Sequence, residues 1–166
     1  ADPVDPTKVI IFQDNDWQGK WFSTALWHKE YIGVNGSSDR VKYSASASYM
    51  GDDGIIAMSD YNVFTMHGNT SFKITDNLEA GAAFDMSRQK KHIPVDNYYQ
   101  CIGRGLIVAP TAMEKNLDGE WNQLVSTNKN AHSPAWYERF YSRQNSTSRH
   151  SGAFNLKWTI IDGLAL

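Results

Sequence analysis

The side chains able to do chemistry are few and widely spaced. Histidines stand at His28, His67, His92, His132 and His150, without the short-range pairing that builds a metal centre. No metal site is expected. Asp52 and Asp53 are adjacent acids of the kind that ligate Ca²⁺, yet no EF-hand spacing surrounds them, and "MGDDG" reads more simply as a hairpin turn. Cys101 is the single cysteine, which excludes an internal disulfide framework and a cysteine-based zinc cluster. It also lacks the local signature of a thiol nucleophile. The run "RQKKH", Arg88 to His92, either offers cations to an anionic ligand or a lipid phosphate, or is a solvated strand end. Asn35, Asn69 and Asn145 fit the N-x-[ST] pattern, two of them in or beside expected strands, where modification is disfavoured. No nucleophile–base pair and no glycine-rich phosphate loop can be read from spacing, so neither an enzyme nor a cofactor is expected. What remains is aromatic: Tyr98, Tyr99, Trp121, Trp136, Tyr137, Phe140 and Tyr141 fall in one stretch without periodicity. Aromatic faces suit sugar rings and peptide side chains, and they lose little entropy when held. The same residues equally suit packing that stretch against itself or against a protein partner.

The elements that must position these residues are mostly strands. The 166 residues carry a net charge of −2, without the basic footprint of a nucleic-acid binder. No stretch approaches the 18 or so apolar residues of a membrane helix. After a short apolar run from Val9 to Phe12, "DNDWQGKWFSTALW" offers Asp16 as the N-cap of a short helix with Trp17 and Trp21 at i, i+4. Gly19 limits that helix to about two turns. Strands are expected over His28 to Asn35, ended by "NGSSD", and over Val41 to Met50, ended by "MGDDG". Two more are expected over Tyr61 to Ile74, ended by "TDN", and over Leu78 to Arg88. From Gln89 to Arg149 neither period is sustained, although "NLDGEW" suggests a small hairpin. A stretch this long without structure usually has a function. Alternation returns at "SGAFNLKWTII", and "DG" then turns the chain into "LAL".

Strand two, "VKYSASASYM", sets Val41, Tyr43, Ala45, Ala47 and Tyr49 against Lys42, Ser44, Ser46 and Ser48. Strand four sets Leu78, Ala80, Ala82 and Phe84 against Glu79, Gly81 and Asp85, and the last full strand sets Phe154, Leu156, Trp158 and Ile160 against Asn155, Lys157 and Thr159. A soluble sandwich fills the gap of about 10 Å between its sheets with large interdigitating side chains. Alanines on the apolar face fill it poorly, whereas acyl chains mould to any apolar relief. The hydroxyl face then suits a wet lumen, and tyrosines near strand ends suit interfacial girdles. Short connections alternate with long ones, as in outer-membrane barrels, and about 9 to 11 tilted residues cross a bilayer. The competing reading is a soluble all-β carbohydrate-binding module. Solubility without detergent would select it.

Several stretches resemble one family in order. "DNDWQGKWFSTA" is similar to the "TDWQDEIFRTA" segment of SusC-like TonB-dependent transporters of Bacteroidetes outer membranes. "YIGVNGSSDRVKYSASASYMGDDGIIAMSDYNVFTMHGNTSFKITDNLEAG" resembles that family's next block, a strand pair, a "DqeGI" hairpin and a return strand. "APTAMEKNLDGEW" resembles its proline-containing outer-loop hairpin, and "RHSGAFNLKWTIIDGLAL" its "gnfyaewkii.gLkl" strand. The likeness runs from about Asp14 to Leu166 and rests on the order of the blocks. It departs from the family at Val63 and His67, where an arginine is frequent. The resemblance implies an antiparallel transmembrane β-barrel of about 22 strands, closed by a plug, that imports oligosaccharides or peptides. Import would be driven through TonB and assisted by a SusD-like surface lipoprotein in the outer membrane. The chain lacks an initiator methionine and a secretory leader and stops as a strand begins, so a mid-barrel piece of about five or six strands is expected. Its partners would then be the rest of the barrel and plug, the lipoprotein, TonB, outer-membrane lipid and the glycan or peptide cargo. Residues 1–166 then read as part of one barrel domain. In it 1–27 form an outer loop with a short helix, 28–88 four strands, 89–149 a long extracellular loop, and 150–166 a strand and the start of the next. The apolar sets named above would face lipid. Tyr98, Tyr99, Trp121, Trp136, Tyr137 and Tyr141 would contact ligand or partner.

Overall fold

The computed structural model describes residues 14–93, 103, 106–116, 118–122, 132–141, 143–161 and 164–165. Their contacts fall into two units, one of Leu26–Asp53, Asp60–Lys91 and Asn145–Leu166, the other of Ala1–Ala25, Gly54–Ser59 and His92–Gln144.

The first unit is a single antiparallel sheet. Its strands are β1 (Trp27–Ser37), β2 (Val41–Asp53), β3 (Asp60–Thr75), β4 (Leu78–Ile93), β5 (Arg143–Ile161) and β6 (Leu164–Ala165). They lie in the order of the sequence, β1 to β6, each beside the next. That is the up-and-down all-β arrangement the alternating stretches predict. Pairing of β1 with β2 runs unbroken from Trp27 opposite Asp52 to Ser37 opposite Lys42. Pairing of β2 with β3 runs from Val41 opposite Phe72 to Asp53 opposite Asp60.

Two expected turns fall at the far ends of their signals, not at their starts. "NG" is a strong hairpin signal, yet Asn35 and Gly36 pair with Ser44 and Tyr43 inside the ladder. The chain reverses at Ser38 to Arg40, where the Ser38 amide donates to the Val41 carbonyl at 2.7 Å and the Ser38 hydroxyl accepts from the Val41 amide at 3.2 Å. Gly36 has a different task. A Cβ there would sit 2.5 Å from the Tyr43 hydroxyl, so its absence lets the tyrosine ring lie across β1. Similarly, Asp52 and Asp53 do not turn the chain. They pair with Tyr61 and Asp60, and the reversal occupies Gly54–Ser59, where Met58 takes a positive φ of 65°.

The strands also reach further than the apolar alternation. β4 continues to Ile93 and β5 begins at Arg143. The first residues of β5, "RQNSTSRHS", are polar on both faces and exposed throughout. A period-two signal vanishes when neither face is apolar, although the backbone goes on pairing.

The second unit contains α1 (Trp17–Trp21) and α2 (Pro134–Tyr141). Asp16 caps α1 by accepting from the Gly19 amide at 2.8 Å. The helix ends because Phe22 turns extended and bridges to Ile56, while the Trp21 carbonyl accepts from the Ala57 amide at 2.8 Å. α2 lies inside the stretch expected to be irregular. Its start is conventional: Ser133 as N-cap accepts from the Trp136 amide at 3.2 Å, and Pro134 takes the first helical position, where a missing N–H costs nothing. The "NLDGEW" hairpin is present, with Lys115 bridged to Trp121 and Gly119 at φ 82°, a conformation open to glycine.

Candidate functional site

Directly opposed residues of an antiparallel pair share a face. From the two registers, Ile32 and Val34 of β1 share a face with Ala47 and Ala45 of β2, and with Met66 and Gly68 of β3. Tyr49 joins Phe64, and Val41 joins Phe72. A contact between the His67 and Asp85 side chains places Asp85 on the opposite, polar face, so alternation returns Leu78, Ala80, Ala82 and Phe84 to the apolar one. On β5, Asn155 lies against Gly81 and the Ser151 hydroxyl donates to Asp85 at 3.4 Å. Phe154, Leu156, Trp158 and Ile160 therefore take the apolar face too. Every residue of the three apolar sets singled out in the sequence thus stands on one face, joined by Ile32, Val34, Phe64, Met66, Phe72 and Ile74.

That face is open. Ile32 is 73% and Phe154 75% exposed, and Tyr43, Phe72, Phe84, Leu156 and Trp158 are each about half exposed; Ala80 is buried. The small side chains of β2 leave a shallow apolar furrow of about 300 Å³ between Ile32, Val34, Ala45, Ala47 and Met66. A contiguous apolar surface of this extent marks a membrane or partner surface.

The other face is mostly polar, with Tyr31 opposite Ser48 and Met50 opposite Val63 among its apolar members. Ser48 and Thr65 share a hydrogen bond of 2.6 Å, and Ser46 stands opposite His67. The His67–Asp85–Ser151 cluster joins three strands. Its serine bonds the carboxylate rather than the imidazole, and His67 and Asp85 are each more than half exposed. It lacks the nucleophile-to-base contact that acyl transfer requires. No group of three or more His, Cys, Asp or Glu among the described residues is placed to hold a metal.

In the second unit the aromatic residues meet in part. Trp21, fully buried, packs on Tyr137 with ring centroids 5.9 Å apart, and Ile56, Met58 and Trp136 close around them. Trp136 stacks on His132 at 3.6 Å and lies 5.2 Å from Phe140 and 5.1 Å from Tyr141. Phe140 and Tyr141 are exposed, Tyr137 is buried, and Trp121 lies under the Lys115 ammonium at 4.4 Å. Tyr98 and Tyr99 lie outside the described residues. Sequence spacing missed the polar core of this unit. Lys20 Nζ meets Glu114 Oε2 at 3.0 Å and sits 4.6 Å over the Trp17 ring, while Trp17 Nε1 donates to the Ala109 carbonyl at 3.1 Å. Burial works to raise the Glu114 carboxyl, but hydrogen bonds from buried Ser133 and from Lys20, with the charges of Lys20 and Lys115, outweigh it and hold the pKa below the ordinary value. Burial pushes the His132 imidazole down, against a hydrogen bond to the Asn122 backbone. Lys20, Glu114 and Glu138 rim a hollow of about 370 Å³ floored by Ala57, Met58, Pro134 and Ala135. The arrangement can offer an exposed aromatic surface beside charged groups.

No protein-family model matches the chain. Among curated proteins it is similar to TonB-dependent receptor P26 of Formosa agariphila, 25% identical over 120 residues, covering 72% of this chain and 11% of that protein. It is also similar to TonB-dependent receptor SusC of Bacteroides thetaiotaomicron, 27% identical over 155 residues, covering 87% of this chain and 15% of that protein. TonB-dependent receptor P3 of Formosa agariphila is 29% identical over 68 residues, 41% of this chain and 7% of that protein. The resemblance to SusC-like TonB-dependent receptors read from the ordered sequence blocks is borne out. The chain spans well under a fifth of the length of these relatives.

Proposed function

We propose that this SusC-like chain forms part of the wall of an outer-membrane, TonB-dependent β-barrel importer. One observation carries the reading. A single apolar face runs in register across β1 to β3, continues by alternation onto β4 and β5, and stays largely uncovered, with a mostly polar face behind it. On β3 the face from Phe64 to Ile74, apolar but for Gly68 and Thr70, covers about ten residue steps, or about 34 Å at 3.4 Å each. Tilted by about 40°, it spans about 26 Å, close to the apolar band of about 25 Å on such barrels. Tyr49 and Phe64 then stand at one border, and Tyr43, Phe72 and Trp158 near the other.

The remaining parts follow from the same reading. The outer edge of β1 carries backbone groups that further strands would pair, within a barrel of about 22 strands. The connection 54–59 and the stretch between β4 and β5 leave the sheet at one end, the extracellular end. Trp136 and Tyr141, with Trp121, Tyr98 and Tyr99 of the same stretch, would meet an oligosaccharide or peptide or a SusD-like lipoprotein; Tyr137, expected to join them, is buried against Trp21 and packs the unit instead. The plug and TonB would act through the rest of the polypeptide. A soluble carbohydrate-binding module would need a second layer over the Ile32–Ala45–Met66 face, and among the described residues that face is uncovered.

The test is the solution behaviour of the full-length protein. It should require detergent to remain monodisperse and should migrate on unheated gels as a compact barrel. A monodisperse, detergent-free monomer would overturn the reading. Uptake supports the aromatic assignment if Trp136→Ala with Tyr141→Ala lowers it without changing the amount of folded protein in the membrane.

A further inference from the structure

Two cations stand on the apolar face. Arg88 and Lys90 follow Met86 along β4 and, with Tyr49, Asn62, Phe64 and Met86, enclose a hollow of about 530 Å³. The polar groups beside them are tied to one another. The Tyr49 hydroxyl donates to Asn62 Oδ1 at 2.8 Å, and Asn62 Nδ2 donates to Asp60 Oδ1 at 3.0 Å. Among the described residues neither Arg88 nor Lys90 has an ion-pair partner. The hollow therefore joins an apolar wall, Phe64 and Met86, to two unmatched positive charges.

Height decides what they meet. A cation on the lipid face is costly at mid-depth and nearly free at the border. From Leu78 to Arg88 is about ten steps, or about 26 Å across the bilayer at the same rise and tilt. Arg88 stands where the apolar band ends, and Lys90 just beyond, at the end from which the long connections leave. A guanidinium and an ammonium at headgroup height, beside an apolar wall, fit a phosphate with acyl chains attached. The guanidinium forks onto phosphate oxygens, and the ammonium adds a point charge.

We propose that this hollow binds the phosphate-bearing headgroup of an outer-leaflet lipid, with Arg88 and Lys90 on the phosphate and Phe64 and Met86 against the first methylenes. The proposal rests on the transmembrane reading of the sheet. The test measures binding of short-chain phosphatidic acid and of the matching diacylglycerol to the full-length protein in mild detergent, by native mass spectrometry. Phosphatidic acid should bind more tightly, and Arg88→Gln with Lys90→Gln should bring its affinity to that of diacylglycerol, about tenfold for each charge removed. Equal binding of the two lipids by the unaltered protein overturns the proposal without any variant. So does unchanged phosphatidic acid binding by the double variant. Inorganic phosphate competing as well as the lipid does would overturn it in favour of a soluble anion. A protein that stays monodisperse without detergent sinks the transmembrane reading itself, before any lipid is added, so the two failures are distinct.

Discussion

Replacing Ala45 by arginine separates a membrane wall from a sheet in water. Ala45 opposes Val34 on one side and Gly68 on the other, midway between Val41 and Tyr49 and near the middle of the Phe64–Ile74 run. Both neighbours are apolar or lack a side chain, so a guanidinium there meets no carboxylate across the strands. At the mid-plane of a bilayer an arginine on the lipid face costs about 2–4 kcal/mol, roughly a 30- to 900-fold shift in the folding equilibrium. The same arginine on the solvent face of a soluble sheet changes stability by about 0.5 kcal/mol or less. Ser46→Arg is the control, one residue along and on the polar face opposite His67, where water would hydrate it; its cost should stay near about 0.5 kcal/mol. The measurement is urea-dependent folding of the full-length protein into phospholipid vesicles, followed by tryptophan fluorescence. A difference between the two variants below about 1 kcal/mol would refute a lipid-facing Ala45, because depth-dependent cost is what hydrocarbon imposes on that position.

Three further outcomes are expected. Trp21→Ala should destabilise the second unit by about 3–5 kcal/mol through loss of the Trp21–Tyr137 packing. Trp21→Phe should cost much less in the same unfolding assay, since it removes an indole N–H that finds no acceptor. Acid should loosen this unit in two stages. The folded pKa values of His132 and Glu114 are both depressed, so the unfolded chain binds more protons and stability falls as pH drops. The loss begins below the ordinary histidine value of 6.5 and resumes below the ordinary carboxylate value of 4.5. A pH titration of tryptophan fluorescence should show both steps, and His132→Asn should remove the first. Ser133→Ala deletes the α2 cap at a cost of about 1 kcal/mol and should raise the Glu114 pKa toward its ordinary value, read by NMR titration of that carboxyl.

Most of the sheet was legible because its information is local and periodic. Each strand shows its apolar set at every second residue, and one hydrogen-bonded register carries those sets onto a common face. The turns were less legible. Within "NGSSD" the pair Asn35–Gly36 has the usual hairpin chemistry, but pairing through Ser37 opposite Lys42 and the need for Tyr43 to cross a bare backbone keep it inside the strand and leave the reversal to Ser38 onward. The strand ends at Ile93 and Arg143 could not be read, since polar residues on both faces erase the alternation. α2 could have been read from its start: "SPAWYERFY" offers an N-cap serine and a first-position proline, with Ala135, Glu138 and Arg139 as helix formers among the aromatics. The Lys20–Glu114 pair is different in kind. It joins residues far apart in sequence, and no local pattern encodes such a meeting. The same holds for Arg88 and Lys90, whose significance lies in standing beside Phe64 and Met86, not in their own run of charges.

His67 and Asp85 sharpen the picture of what lies behind the wall. His67 stands opposite Ser46, one step from the Ala45–Gly68 pair on the other face, so the two pairs lie at the same height on opposite faces. In the proposed importer that height is the middle of the bilayer. A half-exposed histidine–aspartate pair beside Ser46 and Ser151 would be strongly destabilising there if hydrocarbon touched it. It is tolerable if the polar face meets water or a polar plug. One sheet thus needs two solvents at equal depth, hydrocarbon on the Ile32–Ala45–Met66 side and water on the Ser46–His67–Asp85 side. A closed barrel supplies both, and a flat sheet lying in a membrane does not. The coexistence of the two faces at one height therefore argues for closure more strongly than the apolar face does alone, and swapping them should be lethal to folding. His67→Leu with Ala45→Ser should fold less well in vesicles than either single change, because it moves both faces toward the wrong solvent at once.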